Sequence, residues 1–206
     1  MKAYHFNDGK CGHDDNRVIN VGETLTVDGK PTLCKQGLHG SVCPRDALNY
    51  MQHRHINLDY VEITDEVIVG DDKIVGKSRK VIKRLSGDAL HKTLVRFALD
   101  CANRVKHLMT DERSIKALEI TELWLQGKTA QKEIYDVADA AKAAAYNAYA
   151  ADSAAAAYNA ANTAYSAANT ANAAANAAKT AVSYAAERQW QRERFLEILE
   201  KGDWEK

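Results

Sequence analysis

Apolar positions follow two different periods in this chain, and the change falls near residue 87. Ile56, Leu58, Tyr60 and Glu62 alternate with Asn57, Asp59, Val61 and Ile63, which predicts a strand with one mostly apolar face. Shorter strands are expected at 3–6, 17–21, 24–27, 31–34 and 67–69, punctuated by Asn7-Asp8-Gly9, Gly22-Glu23 and Asp28-Gly29. Residues 73–85 read as one long strand with charges on both faces, which suits an edge protected by lysine. Between these strands, Pro44 opens a short helix over 45–51 with Ala47, Leu48 and Met51 inward.

From Asp88, a good N-cap, the period becomes helical. Leu90, Leu94, Phe97, Ala98, Cys101, Val105 and Leu108 share one face, and that helix is expected to end near Met109. A second helix starts at Thr110 or Asp111 and stops at Gly127. The third helical stretch begins at Thr129 and holds an alanine-rich tract at about 138–186. Within the tract, Ala157, Ala161, Ala164, Ala168, Ala171, Ala175 and Ala178 recur at alternating spacings of four and three, the seam of a coiled coil. Burying a methyl contributes only about 0.8 kcal/mol, so this seam needs a close partner helix, internal or from a second copy. The apolar patch at Phe195, Leu196 and Leu199 is expected to pin the end of the tract, and Trp204 to lie in a fraying tail. The expected fold class is therefore α+β: a small mixed β-rich domain over 1–86, followed by an all-α domain over 87–206. That second domain is an alanine-rich, coiled-coil-like bundle or long helix.

Composition narrows the partners. Acidic and basic residues balance at 28 each, so no global field draws the 206-residue chain to nucleic acid or anionic membrane. The basic residues at 73–84 lack the interleaved aromatics of a single-strand binder, which argues against nucleic acid. Asparagines through the alanine tract argue against a membrane span. Four scattered cysteines and no apolar leader point to a cytoplasmic protein with free thiols. No cofactor is expected.

Candidate chemistry gathers in the first domain. Cys34, His39 and Cys43 form the nearest local metal-type cluster, beside Cys11, His13, His53 and His55, but no Cys-x-x-Cys pair is present. Gly37, His39 and Ser41 sit on a glycine-flanked loop next to a helix start, a place where backbone N–H groups can take an anion.

Tyr4-His5-Phe6, Leu33-Cys34 with Gly37-Leu38-His39, Ala47-Leu48-Asn49-Tyr50, and Asp71-Asp72-Lys73 followed by a basic strand together resemble an uncharacterised family from phage and prophage genomes. Its members often continue into alanine-rich tails, some labelled as immunity proteins. That resemblance implies a phage or prophage origin and a non-enzymatic interaction, immunity or anti-defence role. The partner would be another protein, or a second copy through the alanine tract. The order of elements also resembles that of ADP-ribosyltransferases: a strand bearing a ribose-contacting histidine, a small-residue strand, a helix of the Ala-x-x-Tyr kind and a further strand. This second resemblance implies a nucleotide or NAD site using His5 and His39. The late strand carries no clear catalytic glutamate motif, which leaves Glu62 and Glu66 as the acids to consider.

Overall fold

The computed structural model describes residues 1–11, 15–52, 55–109, 111–130, 132–134, 136, 176, 181–202 and 204. It is an α+β protein, β-rich at the N-terminal end with helices later. It divides into two compact units, Met1–Leu90 with Leu199–Lys206, and His91–Ile198.

In the first unit, β1 (Lys2–Asn7), β4 (Asn57–Thr64), β7 (Ser78–Ser86) and β2 (Thr24–Thr26) form a four-stranded sheet in the order β1-β4-β7-β2. A second sheet has the order β3-β6-β5, from Leu38–Gly40, Ile74–Gly76 and Ile68–Val69. The two adjoin where Tyr4 and Ser41 exchange backbone hydrogen bonds of 2.8 and 2.9 Å. Every pairing within the two sheets is antiparallel.

Register assigns the faces of the larger sheet. Ala3, Val61 and Val81 stand in one row, and Ile63 and Arg79 in the next. With Cys11, Ile19 and Ile74 from outside the sheet, the apolar members of these rows form the buried core. The opposite face carries Phe6, Leu58 and Leu85, all buried, and then Tyr4, Tyr60 and Lys83. Lys83 Nζ lies over the Tyr60 ring at 5.3 Å and over the Trp204 ring at 4.3 Å. Trp204 Nε1 donates to the Leu199 carbonyl at 2.8 Å, so Trp204 is held rather than frayed.

Several elements differ from expectation. Residues 73–85 are two strands in two sheets, separated at Lys77, and β7 is internal rather than an edge. The β4–β7 register shifts where Tyr60 opposes Lys83 and Val61 opposes Val81, leaving Ile82 as the extra residue of a bulge. Residues 31–34 enter a turn closed by Gln36 N–H on the Thr32 carbonyl at 3.0 Å. Cys34 takes φ 63° there, which a strand excludes. Only an isolated bridge from Val18 to Lys10 stands where a strand at 17–21 was expected. The short helix α1 (Pro44–Ala47) tightens at once into a 3₁₀ turn, Leu48–Tyr50.

The second unit is helical among its described residues. Helix α2 (Gly87–Arg104) starts one residue before the expected cap and stops before Met109, with a 3₁₀ turn at Lys106–Leu108. Helix α3 (Glu112–Leu125) is capped as expected, the Asp111 side chain accepting from Arg113 N–H. Helix α4 is Ala181–Glu200. Phe97 and Phe195 stack at 4.5 Å, and Arg194–Asp100 and Arg104–Glu187 ion pairs of 2.8 and 3.0 Å tie α4 to α2. Arg96 joins α2 to α3 through Glu122 at 2.6 Å. The seam residues Ala157, Ala161, Ala164, Ala168, Ala171, Ala175 and Ala178 lie outside the described residues, so the coiled-coil expectation is not addressed by the structure. Among the described residues no helix is long and apolar enough to cross a membrane.

Candidate functional site

The core face of the larger sheet becomes polar at one end. His5, Asp59 and Arg84 face one another across β1, β4 and β7, and the next row is Asn7, Asn57 and Ser86. Period two alone would put Arg79 and Arg84 on opposite faces. The bulge at Ile82 resets the parity, so both guanidinium groups rise from the same face.

Asp59 is the hub. It is fully buried. Arg84 grips it with a fork, Nε to Oδ1 at 2.6 Å and Nη2 to Oδ2 at 2.8 Å, and its Nη2 also donates to the Ile19 carbonyl at 3.0 Å. Asn7 Nδ2 donates to Asp59 Oδ2 at 2.9 Å and lies 3.3 Å from His5 Nδ1. Both carboxylate oxygens are therefore engaged by their own partners. A charge buried this deeply holds only when paired and hydrogen-bonded in this way.

Arg79 has no such arrangement. Only 3 % of it is exposed. Its one hydrogen bond among the described residues runs from Nη1 to the His39 carbonyl at 2.9 Å, and its Nε is buried without a partner. Three acidic groups lie within electrostatic reach: Cys11, Asp59 and Asp15. Asp59 is held by Arg84. Asp15 is gripped by Arg17, with Nη2 to Oδ2 at 2.6 Å. Burial pushes the Cys11 thiol up, which keeps it neutral. The Arg79 cation is left without a counter-ion of its own, and burial lowers its pKa accordingly.

Three imidazoles surround this charge. Burial holds His5 well below its ordinary pKa, and Arg79, His55, His39 and Arg84 push in the same direction. His39, on β3, accepts the Cys34 N–H on Nε2 at 3.1 Å. His55 precedes β4, and its Nδ1 accepts from Gln52 N–H at 3.2 Å.

The residues singled out from the sequence fall differently around this face. His5 and His39 are near enough to act on one another electrostatically. Glu62 lies on the opposite face of β4 and pairs with Lys2 at 3.0 Å, so it shares no site with His5. Glu66 is exposed and paired with Lys77 at 2.5 Å. Gly37, His39 and Ser41 do not form an anion-binding loop, because 38–40 is strand β3 paired with β6 and Ser41 N–H is spent on the Tyr4 carbonyl. Gly37 is needed for packing: at φ 114°, a Cβ there would meet Val75 Cγ2 at 2.5 Å. Cys34 is exposed and Cys43 occupies the N-cap position of α1. Among the described residues no three His, Cys, Asp or Glu side chains converge as a metal site. Sequence reasoning saw Arg79 and Arg84 only as part of a basic strip and gave Asp59 no role. The signal present was a strand, 57–63, with an acid and an amide on a face otherwise filled by Val61 and Ile63.

Fold and site together define an α+β protein whose β-rich unit buries an unbalanced cationic face. Residues 1–93 match the family model described as Domain of unknown function (DUF7666), which spans the whole two-sheet region and the start of α2. No curated protein and no solved structure matches the chain.

Proposed function

We propose that the β-rich unit is a binding head for a nucleotide-type ligand, NAD included, without transferase chemistry. The observation that carries this reading is the gathering of His5, His39 and His55 with Arg79 and Arg84 on one largely buried face. Such a face is costly to leave empty and suited to a charged ligand. The order of the His5 strand, β3, α1 and β4 is also the order of the transferase-like resemblance. Catalysis is left out because Glu62 stands on the other side of the sheet from His5. A thermal-shift series with NAD, AMP and ATP tests the reading. A ligand at 100 times its Kd stabilises by about 2.7 kcal/mol, and flat melting curves across the series would sink it.

A second reading concerns the other half of the chain. The seven-residue alanine repeat favours association through Ala157 to Ala178, with a second copy or a protein partner of the interaction or immunity kind. Light scattering across protein concentration decides it, since a strict monomer would remove self-association. Nucleic acid remains a poor fit, because Arg79 is buried while Lys80 is exposed, which breaks up the basic strip.

A further inference from the structure

We propose that the face carrying Arg79, His5 and His39 is a phosphate site, in which a phosphoryl group supplies the negative charge that Arg79 lacks. The inference rests on the ligand-binding reading above and names the part of the ligand that the protein holds. It follows from charge bookkeeping. Two guanidinium groups rise from this face, and the one fully buried carboxylate beside them, Asp59, is closed by the Arg84 fork and by Asn7. Asp15 is closed by Arg17. Arg79 keeps a buried Nε donor with nothing to receive it. Phosphate oxygens match a guanidinium edge better than any neutral acceptor does. A nucleobase or a sugar would satisfy a donor but would leave the charge.

Binding then carries a proton. His5 is held neutral by burial and by Arg79, His55, His39 and Arg84, while Asp59, opposite it in the register, is already committed to Arg84. A dianion beside Arg79 reverses the local field, raises the affinity of His5 for a proton, and draws one from solvent. Affinity therefore rises as pH falls towards the pKa of His5 in the complex.

Isothermal titration calorimetry on the full chain tests this, with inorganic phosphate, AMP, NAD and adenosine as probes in two buffers of different ionisation enthalpy. Phosphate and AMP are expected to bind with proton uptake, and adenosine is expected not to. Arg79→Gln should weaken phosphate binding by about tenfold or more, while Lys80→Gln on the other face leaves it unchanged. Should Arg79→Gln fail to fold, His5→Asn serves: binding that persists without proton uptake supports the site, and unchanged uptake overturns the assignment of the proton to His5. Adenosine binding as tightly as AMP would overturn the phosphate inference and leave the binding head standing. Silence from all four probes would overturn both.

Discussion

Replacing Arg79 with methionine is expected to make the free protein more stable. A buried, unpaired guanidinium costs several kcal/mol of desolvation after relaxation. Against that, Arg79 contributes one hydrogen bond, Nη1 to the His39 carbonyl at 2.9 Å, and its Nε contributes none. Hydrogen bonds from a charged donor are worth about 1.5–3 kcal/mol, and the orphaned carbonyl in the variant costs about 1–3 kcal/mol. Methionine keeps much of the volume and adds apolar contact in rows that already hold Ile63 and Val81. The balance favours Arg79→Met by about 1–3 kcal/mol, in line with the gain seen when buried ions give way to packed apolar groups. For a chain of this size that corresponds to a melting temperature higher by about 3–10 °C. Urea unfolding in phosphate-free buffer measures it directly. The same variant should lose the stabilisation that phosphate gives the parent. A loss of more than about 1 kcal/mol in the absence of any anion would refute the reasoning, since it would show that Arg79 is already compensated inside the protein.

Asp59→Asn should destabilise by about 3 kcal/mol or more, because it leaves Arg84 buried against a neutral amide, and equilibrium denaturation reads this out. Gly76→Ala places a Cβ 2.6 Å from the Thr64 carbonyl and 2.7 Å from Ile63 Cγ2, so a loss of about 1–3 kcal/mol is expected in the same assay. Alkylation followed by mass spectrometry should label exposed Cys34 first, and Cys11 and Cys101 only on unfolding, since both are buried and their thiols are pushed up. Burial raises the Tyr4 phenol from 10.0 to about 12, so between these values the unfolded chain releases a proton that the folded chain keeps. Stability should therefore fall as pH rises through that window, with Tyr4→Phe flattening the slope of a denaturation series.

Much of the scaffold was legible because its signals are local. The alternation at 56–63, the turn at Asn7-Asp8-Gly9 and the Asp111 cap each rest on a few adjacent residues, and the structure has β4, the end of β1 and the start of α3 there. The site was not legible, because its decisive feature is a bulge. Reading residues 73–85 with a strict period of two scattered Arg79 and Arg84 over both faces and suggested a solvated edge. One unpaired residue, Ile82, brings them together beside Asp59. Gly76, where that stretch breaks between sheets, was a visible cue that pattern counting passed over. The turn at Cys34 had no cue of its own, since a non-glycine residue at φ 63° looks from sequence like any strand cysteine.

The first unit is built from two separated pieces of chain, Met1–Leu90 and Leu199–Lys206. On a ribosome adding roughly 5–20 residues per second, the stretch between them takes on the order of 5–20 seconds to emerge. For that interval the Tyr60 and Lys83 side of the sheet must wait without Trp204, which later lies under Lys83 at 4.3 Å. The newborn head therefore presents a ready-made docking spot to chaperones, and its last closing step is timed by translation rather than by its own folding.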